Sequence, residues 1–457
     1  MKKITKPVSK PSKSISRREF LGSAALAATA ITIVPRHVLG GPGYMAPSDK
    51  LNIACVGVGG KGRSDIAAVA TENIYALCDV DDNHMAERAA DYPQAKKYRD
   101  FRKMLQENRN SIDAVTVSTP DHTHAVIALM AAKMEKHVFV QKPLTATIEE
   151  ARLLAKAVKD NNVVSQMGNQ GHAGEGARLI NEWIWSGAIG QVNHVHVWTN
   201  RPIWPQGNTV KRPETVMDVP DTLDWNLWLG PAKFRPYYEG YHPFAWRGWW
   251  DFGTGALGDM GAHLIDQPYW ALKLGRPTSV EVSSTPFNEE SYPVASVVRY
   301  EFPEREGMDA CRLTWYDGGL MPQRPHDLEP GRKMGDGGGG CLFVGEKGTI
   351  MCGTYGDNPR LIPETAMKEF DRPEKTIPRS PGIHEEWVAA IKGGPATTSN
   401  FDYASQLTEM MLLGNVALKV KEANKKLLYD AEKMEFTNHP DANQFLSREY
   451  HGGFSLI

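Results

Sequence analysis

Residues 51–70, LNIACVGVGGKGRSDIAAVA, decide how the rest of the chain is read. An apolar run from Leu51 to Val56 enters Gly57-x-Gly59-x-x-Gly62, and a helix-forming segment follows. A strand that turns through glycines into a helix N-terminus can hold a pyrophosphate. The first glycine allows the tight turn, the second lets backbone N–H groups approach the anion, the third lets helix and strand pack closely, and the helix dipole favours negative charge. Gly57, Gly59, Gly60 and Gly62 are therefore candidate cofactor-binding residues. The next strand-like run ends in ALCDVDD and places Asp79 seventeen residues beyond Gly62, where a carboxylate accepts ribose hydroxyls. A 2′-phosphate beside Asp79, Asp81 and Asp82 would meet like charge, so the pattern favours NAD over NADP.

Outward from this stretch, short apolar runs alternate with helical segments. Strands are expected at Leu51 to Val58, Ile74 to Val80, Ala114 to Ser118, His137 to Val140 and Val163 to Met167, with helices between them. That alternation predicts an α/β fold, a Rossmann doubly wound parallel sheet over residues 48–168. After Gly168 the texture changes to alternating runs: QVNHVHVW at Gln191, SVEVSS at Ser279, ASVVRYEF at Ala295, ACRLTWY at Ala310 and CLFVGEKGTIMC at Cys341. These predict a second α/β domain over 169–457, with a large, open, mostly antiparallel sheet covered on one face. It frames a Trp- and Tyr-rich insertion over 200–258 and a glycine-rich turn, Gly335 to Gly340, expected to be mobile. Helices over 382–424 are expected to pack back on the first domain.

The chain has 457 residues, 41% hydrophobic and 23% charged, an ordinary globular composition. Its first forty residues hold eight Lys or Arg and one acid, and Phe20 to Pro35 is an uncharged run too short to span a bilayer comfortably. A basic region before a short apolar one is a secretory signal, and Ser-Arg17-Arg18-Glu-Phe-Leu resembles a twin-arginine export signal. The expectation is an exported, periplasmic protein without a stable membrane span after processing. Beyond residue 40 the chain carries about nine net negative charges and lacks a basic block, which argues against nucleic acid as a partner. Five cysteines without CxxC spacing predict neither a disulfide framework nor a zinc site. His122-x-His124 and His194-x-His196 lack a third ligand placed by sequence, so no metal is expected.

Three further segments carry chemistry. VSTPDHTHAVIA turns from Ser118 through Thr119 and Pro120 into a helix with His124; VFVQKPLT ends a strand at Lys142; and GTGALGDMGAHLID sets Asp259 and His263 four apart, on one helical face. With the glycine turn and Asp79, this ordered set resembles the Gfo/Idh/MocA oxidoreductase family from Leu51 to the C-terminus. The resemblance implies that Lys142 lies near the nicotinamide and the reacting hydroxyl, that His263 is the general base, and that Asp259 orients the substrate or assists proton transfer. It also implies a homo-oligomer formed through the open sheet. One position departs from the family's pattern: Gln141 stands where an acid precedes the lysine, removing a negative charge beside Lys142.

Ser118, Thr119, Pro120, His124, Lys142 and Asn169 join the glycines and Asp79 as cofactor-side candidates. Gln170, His172, Trp246, Arg247 and Trp249 are substrate-side candidates, because ligands of open α/β sheets bind beyond the strands' carboxyl ends and aromatic rings suit sugar faces. The expected activity is hydride transfer between tightly bound NAD and a secondary hydroxyl of a sugar, glycoside or polyol. Two alternatives stand beside it: a redox-neutral NAD-dependent glycosidase, in which His172 or a tyrosine among residues 237–241 would supply a second base, and a non-catalytic NAD-loaded carbohydrate-binding protein.

Overall fold

The computed structural model describes residues 49–456 except 306 and 423, so the Arg17-Arg18 signal expectation lies outside the described residues. Residues 51–457 form one compact unit around two sheets. The first has six parallel strands in the order β3-β2-β1-β4-β5-β6: β1 Asn52–Val56, β2 Asn73–Cys78, β3 Lys96–Tyr98, β4 Ala114–Val117, β5 His137–Val140 and β6 Ser165–Met167. Helices α1 Gly60–Ala68, α2 Asp82–Asp91, α3 Phe101–Glu107, α4 His124–Lys133 and α5 Ile148–Asp160 make the crossovers. The four residues of β4 are all buried, as a sheet covered on both faces requires. β3 and α3 escape the sequence reading because the three-residue strand is Lys-Lys-Tyr, with no apolar run to mark it.

The second sheet has nine strands, β13-β12-β11-β7-β10-β9-β8-β14-β15, antiparallel except where β10 runs parallel to β7. Its strands are β7 Val192–Thr199, β8 Ser279–Ser284, β9 Ser296–Phe302, β10 Cys311–Tyr316, β11 Gly339–Gly345, β12 Gly348–Cys352, β13 Arg360–Ile362, β14 Leu427–Asp430 and β15 Glu435–Phe436. Burial alternates along β9, which leaves Val297, Arg299 and Glu301 on a half-exposed face and Val298, Tyr300 and Phe302 inside. The covered face meets α8 Gly255–Leu264 and α12 Phe401–Val420; the other later helices are α6 Glu175–Trp185, α7 Trp225–Leu229, α9 Asp266–Ala271, α10 Glu364–Glu369 and α11 Ile383–Ile391.

The glycine-rich turn is not a free loop, contrary to the expectation. Gly339 and Gly340 belong to β11, and Asp336 accepts from the backbone N–H groups of Gly338, Gly339 and Thr354 and from the Thr354 hydroxyl. A side chain at Gly339 would come within 2.1 Å of the Trp198 carbonyl oxygen, so the glycines serve close strand approach.

α11 returns to the first sheet. Ile383 and Trp387 bury among Ile53, Cys55, Leu77 and Phe139, while Lys392 pairs with Glu72 at 2.7 Å. Trp387→Ala should therefore cost about 3–5 kcal/mol, read as a lower midpoint in urea unfolding. An unchanged midpoint would show that α11 adds nothing to the Rossmann core.

Candidate active site

The glycine turn lies at the mouth of a 570 Å³ cavity that runs over the carboxyl ends of the parallel strands. Gly57 has φ +79°, and a side chain there would meet the Ser118 carbonyl oxygen at 2.6 Å. Gly62 faces the Gly57 carbonyl, with only 1.9 Å available to a Cβ, so it serves helix–strand packing and does not line the cavity. Gly60 opens onto free space. Asp79 accepts from the N–H groups of Val58 at 2.8 Å and Asp81 at 3.0 Å, which fixes its carboxylate at the cavity edge. Open glycine backbone at one end and a held carboxylate at the strand tip fit the pyrophosphate and ribose of a dinucleotide.

The neighbouring acids already have partners. Asp82 pairs with Arg99, and Asp81 caps α2 and accepts from the His242 ring at 2.9 Å. The like-charge argument against a 2′-phosphate thus rests on Asp79. The donor atoms of Asp81, His84 and His242 fall within 4.8 Å of one another, a grouping that the sequence spacing hides because His242 comes from the insertion. The hydrogen bond to Asp79 raises the His84 pKa against the opposing effect of burial.

At the other end, Lys142 follows β5 and Asp259 sits on α8. Lys142 Nζ donates to Asp259 Oδ1 at 2.8 Å and to the Asp259 carbonyl at 2.6 Å. Arg247 Nε approaches the same carboxylate at 3.4 Å and Arg201 at 3.9 Å. Burial alone would raise Asp259; the Lys142 and Arg247 charges outweigh it and hold the carboxyl at about 2. His263, one turn further along α8, is buried, lines the cavity and meets the Tyr355 ring edge-on at 5.0 Å. Burial, reinforced by the Lys142 charge, lowers its pKa well below the ordinary value. Its Nδ1 has no hydrogen-bond partner among the described residues. A neutral imidazole beside an ammonium and a carboxylate is equipped to take a proton from a hydroxyl that Lys142 polarises.

Gln141 answers the missing charge. Its Nε2 donates to Asp65 Oδ2 at 2.9 Å, and Asp65 also accepts from Ser118 Oγ at 2.7 Å and faces Lys61 and the His384 ring. Burial would raise Asp65, but the His384 hydrogen bond and the Lys61 charge hold it below its usual range. The acid of this neighbourhood is therefore carried on α1.

The candidates divide into two sets. Gly57, Gly59, Gly60, Asp79, Ser118, Thr119, Pro120, Lys142, Gln170, Trp246, Arg247, Asp259 and His263 line the cavity. His124, Asn169, His172 and Trp249 do not. His124 faces the Pro143 and Thr119 carbonyls at 2.9 and 2.8 Å, and so ties the Thr-Pro turn to the Lys-Pro segment. Asn169 accepts from Ser399 Oγ, His172 lies against Asp266 at 3.0 Å and stacks on Trp270, and Trp249 belongs to the insertion's aromatic core. Nor do the paired histidines gather ligands: His122 sits between the Trp228 and Phe252 carbonyls with its pKa lowered to about 3 by burial, and His194 and His196 bond Thr314 and Tyr316. Sequence reasoning missed Arg201, Asp65, Tyr355, His84 and His242, which reach the site only through the fold.

A dinucleotide cradle joins a lysine–aspartate–histidine cluster in one cavity. Residues 51–169 match the oxidoreductase family with an NAD-binding Rossmann fold, and residues 179–313 match the C-terminal alpha/beta domain of that family, together more than half of the chain. The chain belongs to the Gfo/Idh/MocA oxidoreductase family, and residues 51–169 are its NAD-binding Rossmann domain. Levoglucosan dehydrogenase of Pseudarthrobacter phenanthrenivorans is 25% identical over 232 residues, 47% of this chain and 50% of that protein. An alpha-N-acetylgalactosaminidase of Shewanella oneidensis is 28% identical over 209 residues, 40% of this chain and 45% of that protein. The chain thus spans about half the length of the curated relatives it matches. Among solved structures, the WlbA dehydrogenase from Bordetella pertussis in complex with NADH and UDP-GlcNAcA shares the fold at 17% identity and TM-score 0.57, over 83% of this chain and 99% of that one.

Two outcomes check this electrostatic arrangement. Asp259 has a depressed folded pKa, so its contribution of about 2 kcal/mol should be present above its ordinary value of 3.8 and be lost as pH falls through about 2. Asp259→Asn should remove that slope from acid-unfolding curves; identical curves would refute the pairing. Gln141→Glu sets a second carboxyl against Asp65 and should lose about 1–3 kcal/mol at pH 8, with the deficit shrinking as pH falls and one carboxyl protonates. A pH-independent difference in chemical-denaturation midpoint would contradict it.

Proposed function

We propose that this chain is an exported, NAD-dependent oxidoreductase acting at a secondary hydroxyl of a sugar, glycoside or polyol. The observation that carries this reading is the convergence of Lys142, Asp259 and His263 at one end of the cavity whose other end holds the glycine turn and Asp79. The glycine turn and Asp79 would hold NAD, which when bound would supply the acceptor for the hydride of the carbinol carbon. Lys142 holds the substrate oxygen by its ammonium, Asp259 fixes that ammonium, and the neutral His263 takes the hydroxyl proton. Arg247, whose guanidinium stacks on Trp246 at 4.2 Å and on Phe244 at 4.7 Å, presents donors and a ring wall to further hydroxyls. The levoglucosan dehydrogenase relative supports a saccharide substrate.

Export rests on the basic N-terminal segment with Arg17-Arg18; among the described residues no helix is long and apolar enough to cross a membrane. Outside the cytoplasm a dissociated nicotinamide is not replaced, so the proposal includes a tightly held cofactor that leaves with the folded chain. The half-exposed sheet face around His194, His196, Arg299 and Tyr316 is the proposed homo-oligomer surface.

The glycosidase relatives favour a second reading, in which oxidation, elimination of the leaving group and re-reduction close the hydride cycle on one molecule. His172 is buried against Asp266, away from the cavity, and Tyr241 is buried in the insertion. Tyr355 lines the cavity beside His263 and is the better-placed second acid–base group for this route.

The deciding experiment denatures the purified, processed protein and counts nicotinamide released per chain. Near one NAD or NADH per chain is expected, and an empty protein would sink the captive-cofactor proposal. His263→Ala should retain the nicotinamide yet lose at least about a hundredfold in substrate-driven reduction; normal turnover would remove His263 from the base role. The acid limb of the wild-type rate should fall below the ordinary histidine range, since burial keeps His263 neutral there. Turnover of glycosides in D₂O separates the two readings: deuterium at the carbon next to the oxidised one marks elimination.

A further inference from the structure

At the Asp79 end of the dinucleotide cavity, Asp81, His84 and His242 meet with their donor atoms within 4.8 Å of one another. Two of the three come from one helix turn. Asp81 is the N-cap of α2 and His84 stands three positions further on, the i, i+3 relation by which a single helix supplies two ligands to one ion. His242 arrives from the insertion, its ring edge-on to Trp228 at 6.1 Å. The spacing argument against a metal at the two His-x-His pairs does not bear on this corner, because its third donor is brought in by the fold.

The ligands are held in place by other contacts. The Asp81 backbone bridges to Leu223, and Asp81 Oδ1 accepts from the Asn83 N–H at 2.9 Å, which leaves Oδ2 facing His242 Nε2 at 2.9 Å. Asp81 is buried, and both histidines are half-buried. The corner is also short of positive charge. Asp79 Oδ1 stands 3.8 Å from His84 Nδ1, and among the described residues the groups within ion-pair distance of Asp79 and Asp81 are His84 and His242 alone. Arg99, which follows β3, is paired with Asp82. Two carboxylates faced by two imidazoles balance a doubly charged cation while the imidazoles stay neutral and donate.

Two imidazole nitrogens and a carboxylate oxygen suit zinc and its neighbours in the first transition row, whereas magnesium and calcium take oxygen ligands. Zinc holds such donors at about 2.0–2.2 Å, so the three atoms need only draw together by side-chain rotation, the ion taking the place of the proton shared by His242 and Asp81. We propose that Asp81, His84 and His242 bind one divalent transition-metal ion, which ties the insertion to the tip of the parallel sheet. His84 and His242 line the cavity and Asp81 does not, so the ion sits in the cavity wall and leaves Asp79 to a ligand inside. This assignment does not rest on the oxidoreductase reading.

The test is calorimetric titration of the untagged full chain, as purified and then washed with chelator, with zinc chloride, and with magnesium chloride as the control. Near one zinc per chain is expected, with magnesium far weaker. His242→Ala and His84→Ala should each weaken zinc at least about tenfold, and the double variant His194→Ala/His196→Ala on the second sheet should bind it unchanged. Zinc should also raise the unfolding midpoint of the wild type and not that of His242→Ala. Should His84→Ala fail to fold, His242→Ala alone decides. No zinc binding at micromolar concentration, equal binding of magnesium, or zinc binding that survives His242→Ala and is lost with His194 and His196 would each overturn the proposal.

Discussion

The Lys142–Asp259 ion pair is the constraint on which the site depends, because its partners come from the two sheets' separate helix-and-strand systems. Lys142 follows β5 of the parallel sheet; Asp259 rides on α8, which packs against the second sheet and α12. Half-buried charges carry a desolvation cost that only good geometry repays, and removing one partner strands the other. Here the lysine donates both to the carboxylate and to the carbonyl of the same residue, so it reads the position of the helix backbone as well as the charge. Anything that shifts α8 against β5 breaks two bonds at once. His263, on the same helix, inherits its distance to the lysine from that pair.

The aspartate in turn needs more than one cation. Lys142, Arg247 and Arg201 surround one carboxylate, which leaves surplus positive charge at this end of the cavity. That surplus has two consequences that reinforce each other. It keeps the carboxyl ionised down to about pH 2, and it helps keep His263 deprotonated. A hydroxyl arriving there meets donors that stabilise developing oxyanion character and an imidazole whose proton site is vacant, which is the electrostatic requirement for oxidising an alcohol.

How much of this was legible in the sequence follows the range over which each signal acts. The glycine turn, Asp79, Lys142 and the Asp259/His263 pair are local patterns whose geometry is set within one turn or one strand end, and all of them reach the cavity except Gly62, which spends its missing side chain on packing. Asn169 and His172 also lie beyond a strand's carboxyl end, but their polar atoms turn toward Ser399 and Asp266, partners over ninety residues away that no local pattern announces. Gln141 shows the same limit. Read alone it removes a charge; folded, it donates to the Asp65 carboxylate on α1. Strands β3, β13 and β15 were invisible because Lys-Lys-Tyr, Arg-Leu-Ile and Glu-Phe carry too short an apolar run to mark a strand.

The insertion connects these pieces to cofactor retention. Its backbone joins the tip of the parallel sheet directly: Asp82 N–H donates to the Thr222 carbonyl at 2.9 Å, and Asp224 N–H to that of Val80 at 2.9 Å. His242 adds a side-chain bond to Asp81, and Trp228, Pro243, Phe244 and Trp246 wall the cavity over its length. Most of the insertion's rings pack on one another, Trp225 on Trp228 at 4.7 Å and Tyr241 on Trp249 at 4.8 Å, so this wall is a small core of its own and not a set of independent side chains. A dinucleotide lying under it would leave only when the core moves as a unit and its strand-tip bonds open together. Cooperative opening of that kind slows dissociation without requiring strong contacts to the ligand itself, so the wall would set how long a bound dinucleotide stays rather than how strongly it is held.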